Sequence, residues 1–205
     1  MAIQIVGNSG TVAEVDSNRN LLVYPGYPAF PAAGGWYSAT GYSGTTGVVA
    51  AALAANTSLM SFRLSASSTR KAYVDRLRVS FTPATVGASG GVAGVLGLQR
   101  FTTATPTGGT ARTAARKNAA LGTASDVTDI RDSNAALTVT SVVFGDVVAS
   151  TVVPLFTTGG SAEWVAEIDN PLVLAAGDGL VLRTQVAMAA TQTWQYTYNI
   201  YWHEF

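Results

Sequence analysis

Trp194-Gln195-Tyr196-Thr197-Tyr198-Asn199-Ile200-Tyr201-Trp202 alternates along its whole length. Trp194, Tyr196, Tyr198, Ile200 and Trp202 fall on one side, and Gln195, Thr197, Asn199 and Tyr201 on the other. A period of two marks a strand with one buried face, because successive side chains leave a pleated backbone in opposite directions.

The same period recurs upstream. Leu180–Val186 reads as a strand, reached from Leu172–Leu174 through Ala175-Ala176-Gly177-Asp178-Gly179, which is turn chemistry. Ala162–Ile168 and Ala136–Val143 read as further strands, and Val92–Phe101 as one whose Gly94 and Gly97 suggest a bulge or close packing. Tyr73–Phe81 puts Tyr73, Leu77, Val79 and Phe81 inward and Arg76, Arg78 and Ser80 outward. Asp75 then falls on the inward side, where it needs a partner. Leu59–Ser65 sets Met60, Phe62 and Leu64 against Ser61 and Arg63. Helix is confined to two candidates, Ala51–Ala55 and Thr110–Leu121. Residues 102–134 read as a long excursion between strands, of the kind that is usually functional or interfacial. Many short strands with turns between them predict an all-β fold, an antiparallel β-sandwich of jelly-roll type over residues 35–205.

Residues 1–34 differ from the rest. Tyr24-Pro25-Gly26-Tyr27-Pro28-Ala29-Phe30-Pro31 spaces prolines with aromatics. Proline fixes φ, lacks an N–H and pushes the preceding residue to extended geometry, so the segment is neither helix nor central strand. A disordered linker would be poor in aromatics. Tyr24, Pro25, Tyr27, Pro28, Phe30 and Pro31 are therefore candidate partner-binding residues on an extended N-terminal arm, docked on a neighbour or on its own domain.

Apolar residues make up 48% of the 205 and charged ones 12%, against about 25% charged in an average soluble domain. A chain this poor in charge is expected to bury surface against copies or partners. The charge is also sorted. Residues 60–117 hold nine cations against Asp75 alone, a net of +8, and residues 118–205 hold two against nine acids, a net of −7. Ten of the twelve cations are Arg, which suits bidentate pairing with carboxylates. Pairing between the halves, within a subunit or between neighbours, is expected over nucleic-acid binding. Arg63, Arg76, Arg78, Glu163, Glu167 and Tyr201 are the candidate subunit-interface residues. The N-terminus has no basic stretch followed by an apolar one, so no signal peptide is expected. The most apolar run, Val48–Leu53, falls far short of the roughly 20 residues that span a bilayer, so no membrane role is expected.

No motif for chemistry is convincing. With no cysteine, thiolate chemistry and sulfur-ligated zinc are excluded. His203, the single histidine, sits at the end of the chain, and no serine lies in a Gly-x-Ser-x-Gly elbow. Asp126, Asp129 and Asp132 could recruit calcium, but Arg131 lies among them as a counter-charge, and turn capping or ion pairing is the expected role. Glu163 and Glu167 share one face of a strand opposite Trp164 and Ile168, as solvated or interfacial acids do. Neither enzyme activity nor a cofactor is expected.

Several short blocks resemble a widespread group of tailed-bacteriophage virion structural proteins. They are Val12–Val23, Gly35–Ser38, Ser58–Arg63, Ala72–Val74 and Arg100–Ala104 leading to Gly108–Thr110. Asp129–Arg131, Asn170–Leu174 with Asp178–Val181, and the closing Trp202-His203-Glu204 complete the set. The likeness implies a virion component assembled in the host cytoplasm, most like a capsid cement or decoration protein. It implies a homotrimer bound to the major capsid protein, with no nucleic acid as partner and no catalytic residues to carry over. A tail or baseplate protein with a carbohydrate-binding sandwich is the alternative.

Overall fold

A computed structural model describes residues 34–43, 49, 52–85, 94–117, 123–153, 160–166, 171–188 and 193–205. At 85, 94, 134–136, 143–149 and 151–153 the description covers the backbone alone. The expected arm, with Tyr24, Pro25, Tyr27, Pro28, Phe30 and Pro31, lies outside the described residues, as does Glu167.

Among the described residues there is no helix. Twelve strands follow one another: β1 (Gly35–Tyr42), β2 (Ser58–Leu64), β3 (Ala72–Thr85), β4 (Gly94–Phe101), β5 (Thr110–Arg112) and β6 (Ala115–Arg116), then β7 (Val127–Leu137), β8 (Val142–Val153), β9 (Gly160–Val165), β10 (Leu172–Leu174), β11 (Gly179–Thr184) and β12 (Thr193–Glu204). They make two six-stranded antiparallel sheets. The first runs β10-β3-β12-β1-β6, with β9 also paired to β3, and the second runs β5-β7-β2-β11-β4-β8. The chain changes sheet at each step from β1 to β4, twice more to include the short β6, and then from β8 to β9, from β10 to β11 and from β11 to β12. The eight strands β9-β3-β12-β1 and β2-β11-β4-β8 are thus nested as two Greek keys, which is the jelly-roll connectivity.

The core lies between the sheets. The apolar side of β12 enters it as its alternation requires: Trp194, Tyr196, Tyr198, Ile200 and Trp202 are all buried, while Gln195 and Thr197 are exposed. Met60, Phe62 and Leu64 meet them from β2, Leu96 and Leu98 from β4, and Leu180 and Leu182 from β11. Phe62 packs edge-on against Trp202 at 4.9 Å and Tyr37 stacks on it at 5.7 Å, arrangements that suit the ring quadrupoles.

Four expectations need correction. The described part of Thr110–Leu121, up to Lys117, is not helical: β5 and β6 lie in it, held to β7 and β1 by ladder bonds that its unstriped sequence does not advertise. Ala52–Ala55 is likewise turn, with Ala52 at a positive φ of 57°. The strand placed at Ala136–Val143 is instead the end of β7 and the start of β8, broken where Ser141 takes a φ of 55°, and β7 begins well inside the expected excursion. Finally, Tyr73 and Asp75 do not face the core. A bulge lets Tyr201 pair with Arg76 and Trp202 with Val74, so Asp75 is the extra residue. The alternation slips by one there, and Val74 takes the buried side at 1% exposure.

Candidate partner-binding face

The outer face of the first sheet is built from residues that alternate with the core. Reading across β9, β3, β12 and β1, the register sets Val165, Arg76, Tyr201 and Ser38 in one row, Glu163, Arg78, Asn199 and Thr40 in the next, and Ser161, Ser80, Thr197 and Tyr42 in a third. Arg76, Arg78, Glu163, Gln195, Thr197 and Tyr42 are exposed. Four of the six candidate interface residues therefore converge here: Arg76, Arg78, Glu163 and Tyr201. Arg76 bonds to Glu163 through Nε and Nη2, and that hydrogen bond, with the carboxylate charge, raises the guanidinium pKa further. The Lys117 ammonium sits 3.9 Å from the Tyr201 ring centre, within cation–π range. Arg63, by contrast, is buried in the second sheet at 7% exposure and pairs with Asp129 at 3.3 Å.

The bulge at Asp75 adds a second feature to the same face. His203 Nδ1 lies 2.8 Å from Asp75 Oδ1. Its ring stacks on Tyr73 at 5.0 Å with the planes 6° apart, sits 4.7 Å from Trp36, and meets Phe205 edge-on at 4.7 Å. Trp36, Tyr73 and Phe205 remain half-buried, so their edges reach the surface around the Asp–His pair. Sequence reasoning missed this cluster because a bulge has no periodic signature. The signal available was Asp75 itself, a carboxylate in an apparently apolar position.

The sorted charges meet inside the subunit. Arg63–Asp129, Arg70–Asp126, Arg70–Glu204, Arg76–Glu163 and Arg112–Asp132 each join the basic middle to the acidic C-terminal half. Asp126, Asp129 and Asp132 thus take separate arginines and do not converge. Among the described residues no group of three or more His or acidic side chains is placed to hold a metal. Two of the pairs are anchored in full burial. Glu204 accepts bonds from Ser125 Oγ, Asp126 N and Trp202 Nε1, and Asp132 takes Arg112 in a two-pronged pair at 2.6 and 2.9 Å and lies 3.3 Å from Tyr198 OH. Burial, and then the Asp132 charge, push the Tyr198 phenol well above its ordinary pKa; burial does the same to Tyr196.

Among the described residues the arrangement offers hydrogen-bonding side chains, the Arg76–Glu163 ion pair and aromatic edges on one sheet face, which is equipment for contact. No protein-family model, curated protein or solved structure matches the chain.

Proposed function

We propose that this chain is a phage virion structural protein, a capsid cement or decoration protein. It binds the outer surface of the major capsid shell and stabilises the shell by bridging neighbouring capsomers. The observation that carries the reading is the open outer face of the first sheet, where Arg76, Arg78, Glu163 and Tyr201 come together. The resemblance of several short blocks to tailed-phage virion proteins supports the same reading, as does a charged fraction of 12%, low for a chain with no surface to bury. A shell under internal pressure gains from subunits that bridge capsomers, and contacts weak one by one add up when repeated on a closed lattice. The homotrimer is what the resemblance implies.

Jelly rolls host capsid and lectin domains alike, so the fold does not choose between head and tail. The Trp36–His203–Tyr73–Phe205 cluster is the feature that favours a tail or baseplate protein binding carbohydrate. Cryo-electron microscopy of the virion decides between the two. Density for this fold on the capsid exterior is the expected result; finding the protein only in the tail overturns the cement reading.

A further inference from the structure

Register and bonding disagree at the centre of the first sheet's outer face. Glu163 stands directly across from Arg78 in the ladder between β9 and β3. Side chains directly opposite lie roughly 5 Å apart at Cβ and diagonal ones roughly 7–8 Å, so proximity favours a Glu163–Arg78 pair. The carboxylate nevertheless bonds to Arg76, the diagonal neighbour, through Nε and Nη2. Arg78 is left exposed, and no described residue bonds to its side chain.

A guanidinium presents five N–H donors in a rigid planar fork. The row of Arg78 continues with the Asn199 amide and the Thr40 hydroxyl, both neutral. Across the three rows of this face, Arg76 and Arg78 stand against Glu163 alone, which leaves one positive charge in excess. Lys117, over the Tyr201 ring, is the nearest further cation described there. Two cations do not make the basic track of a nucleic-acid site, where roughly six to ten phosphates are engaged. One fork beside neutral hydrogen-bonding groups fits one carboxylate.

We propose that Arg78 is the docking point for a carboxylate side chain of the partner protein, and that Arg76 is a positioning residue that keeps Glu163 from occupying it. The inference rests on reading this face as a partner-binding surface, and it names what that surface recognises. Arg76 and Arg78 compete for one acid. While Arg76 holds it, Arg78 keeps its fork for an incoming carboxylate in two-pronged geometry. Without Arg76, the cation left beside Glu163 is Arg78, and an incoming carboxylate meets a like charge already seated there. Loss of Arg76 therefore weakens a contact that Arg76 does not itself make, and loss of Glu163 as well reopens Arg78.

Co-sedimentation of the full chain with undecorated capsids tests this, comparing wild type with Arg78→Gln, Arg76→Gln and the double variant Arg76→Gln/Glu163→Gln. The changes lie on an exposed face, and circular dichroism checks that each variant is folded. Arg78→Gln is expected to weaken binding by roughly tenfold or more, as loss of a charged hydrogen bond does. Arg76→Gln is expected to weaken it severalfold, and the double variant to return to the wild-type level. Arg78→Gln binding as tightly as wild type overturns the docking point. A double variant no better than Arg76→Gln overturns the positioning role. A wild type that does not bind capsids at all sinks the cement reading, and the fork is then read by itself, by titrating glutarate and following the Arg78 Nε–H signal by NMR. A saturable shift, diminished in Arg76→Gln and restored in the double variant, supports the fork; a linear shift equal in all three refutes it. A single-stranded oligonucleotide that shifts the same signal at lower concentration overturns the choice of a carboxylate.

Discussion

Tyr196 and Tyr198 carry hydroxyls into the core, and each is matched there. Tyr196 OH donates to a carbonyl, with the oxygens of Leu59 and Ser133 at 2.6 and 2.8 Å, and Tyr198 lies beside Asp132. Burial raises both phenol pKa values, so as pH rises the unfolded chain loses these protons first. Their contribution to stability is complete below the ordinary tyrosine value of about 10 and falls above it. Each tyrosine adds a slope of about 1.4 kcal/mol per pH unit in that range. Tyr198→Phe is expected to remove about half of the combined slope in denaturant titrations between pH 10 and 12; an unchanged slope would contradict the role of burial. Little of this could be read in advance. The alternation in β12 marks both tyrosines as inward, but Asp132, 66 residues from Tyr198, looks like one of three loop acids. Arg112, which makes its burial tolerable, lies in what reads as a helix.

β12 and β3 mark the limits of legibility at the level of the strand. β12 has one strict period and a central position, so its pattern suffices. β3 carries the same kind of pattern, but the extra residue at Asp75 shifts its first part by one, and a one-residue slip moves every side chain to the other face. β7 hides for a different reason: its inward positions include Asp132 as well as Val127 and Ile130, so the apolar rhythm is broken by a paired carboxylate. Deleting Asp75 should therefore be tolerated, since Val74 and Arg76 would then follow in regular alternation. The cost is the His203 contact, about 1 kcal/mol, read as a melting temperature lower by roughly 2–4 °C. Deleting Thr197 from the middle of β12 should abolish cooperative unfolding, because either Trp194 and Tyr196 or Tyr198 to Trp202 must turn outward. If the Asp75 deletion is as damaging as the Thr197 deletion, the bulge is not an inserted residue.

For the molecule as a whole, the sequence marks out a sandwich and a sorted charge, and the structure spends that charge on pairs within one subunit. If the chain is a cement protein, residues 1–34, expected from the sequence to be a partner-binding arm, are the segment proposed to reach toward the shell. Removing residues 1–34 should weaken capsid binding by about tenfold or more, as loss of one of several linked contacts does, while the oligomer survives; a co-sedimentation assay with undecorated capsids would show unchanged binding if the arm has no such part. The position of β12 has a separate bearing on how the protein is made. It is the last of the described strands to be synthesised, yet β1 and β3 hydrogen-bond to it on either side and not to each other. The first sheet can close only after the ribosome has delivered its final strand, with partners more than a hundred residues apart. A topology so rich in distant pairings folds slowly, and until it closes the apolar faces of β1 and β3 stay open to solvent and to other chains. The nascent protein thus passes through a vulnerable interval that ends with the docking of one aromatic strand.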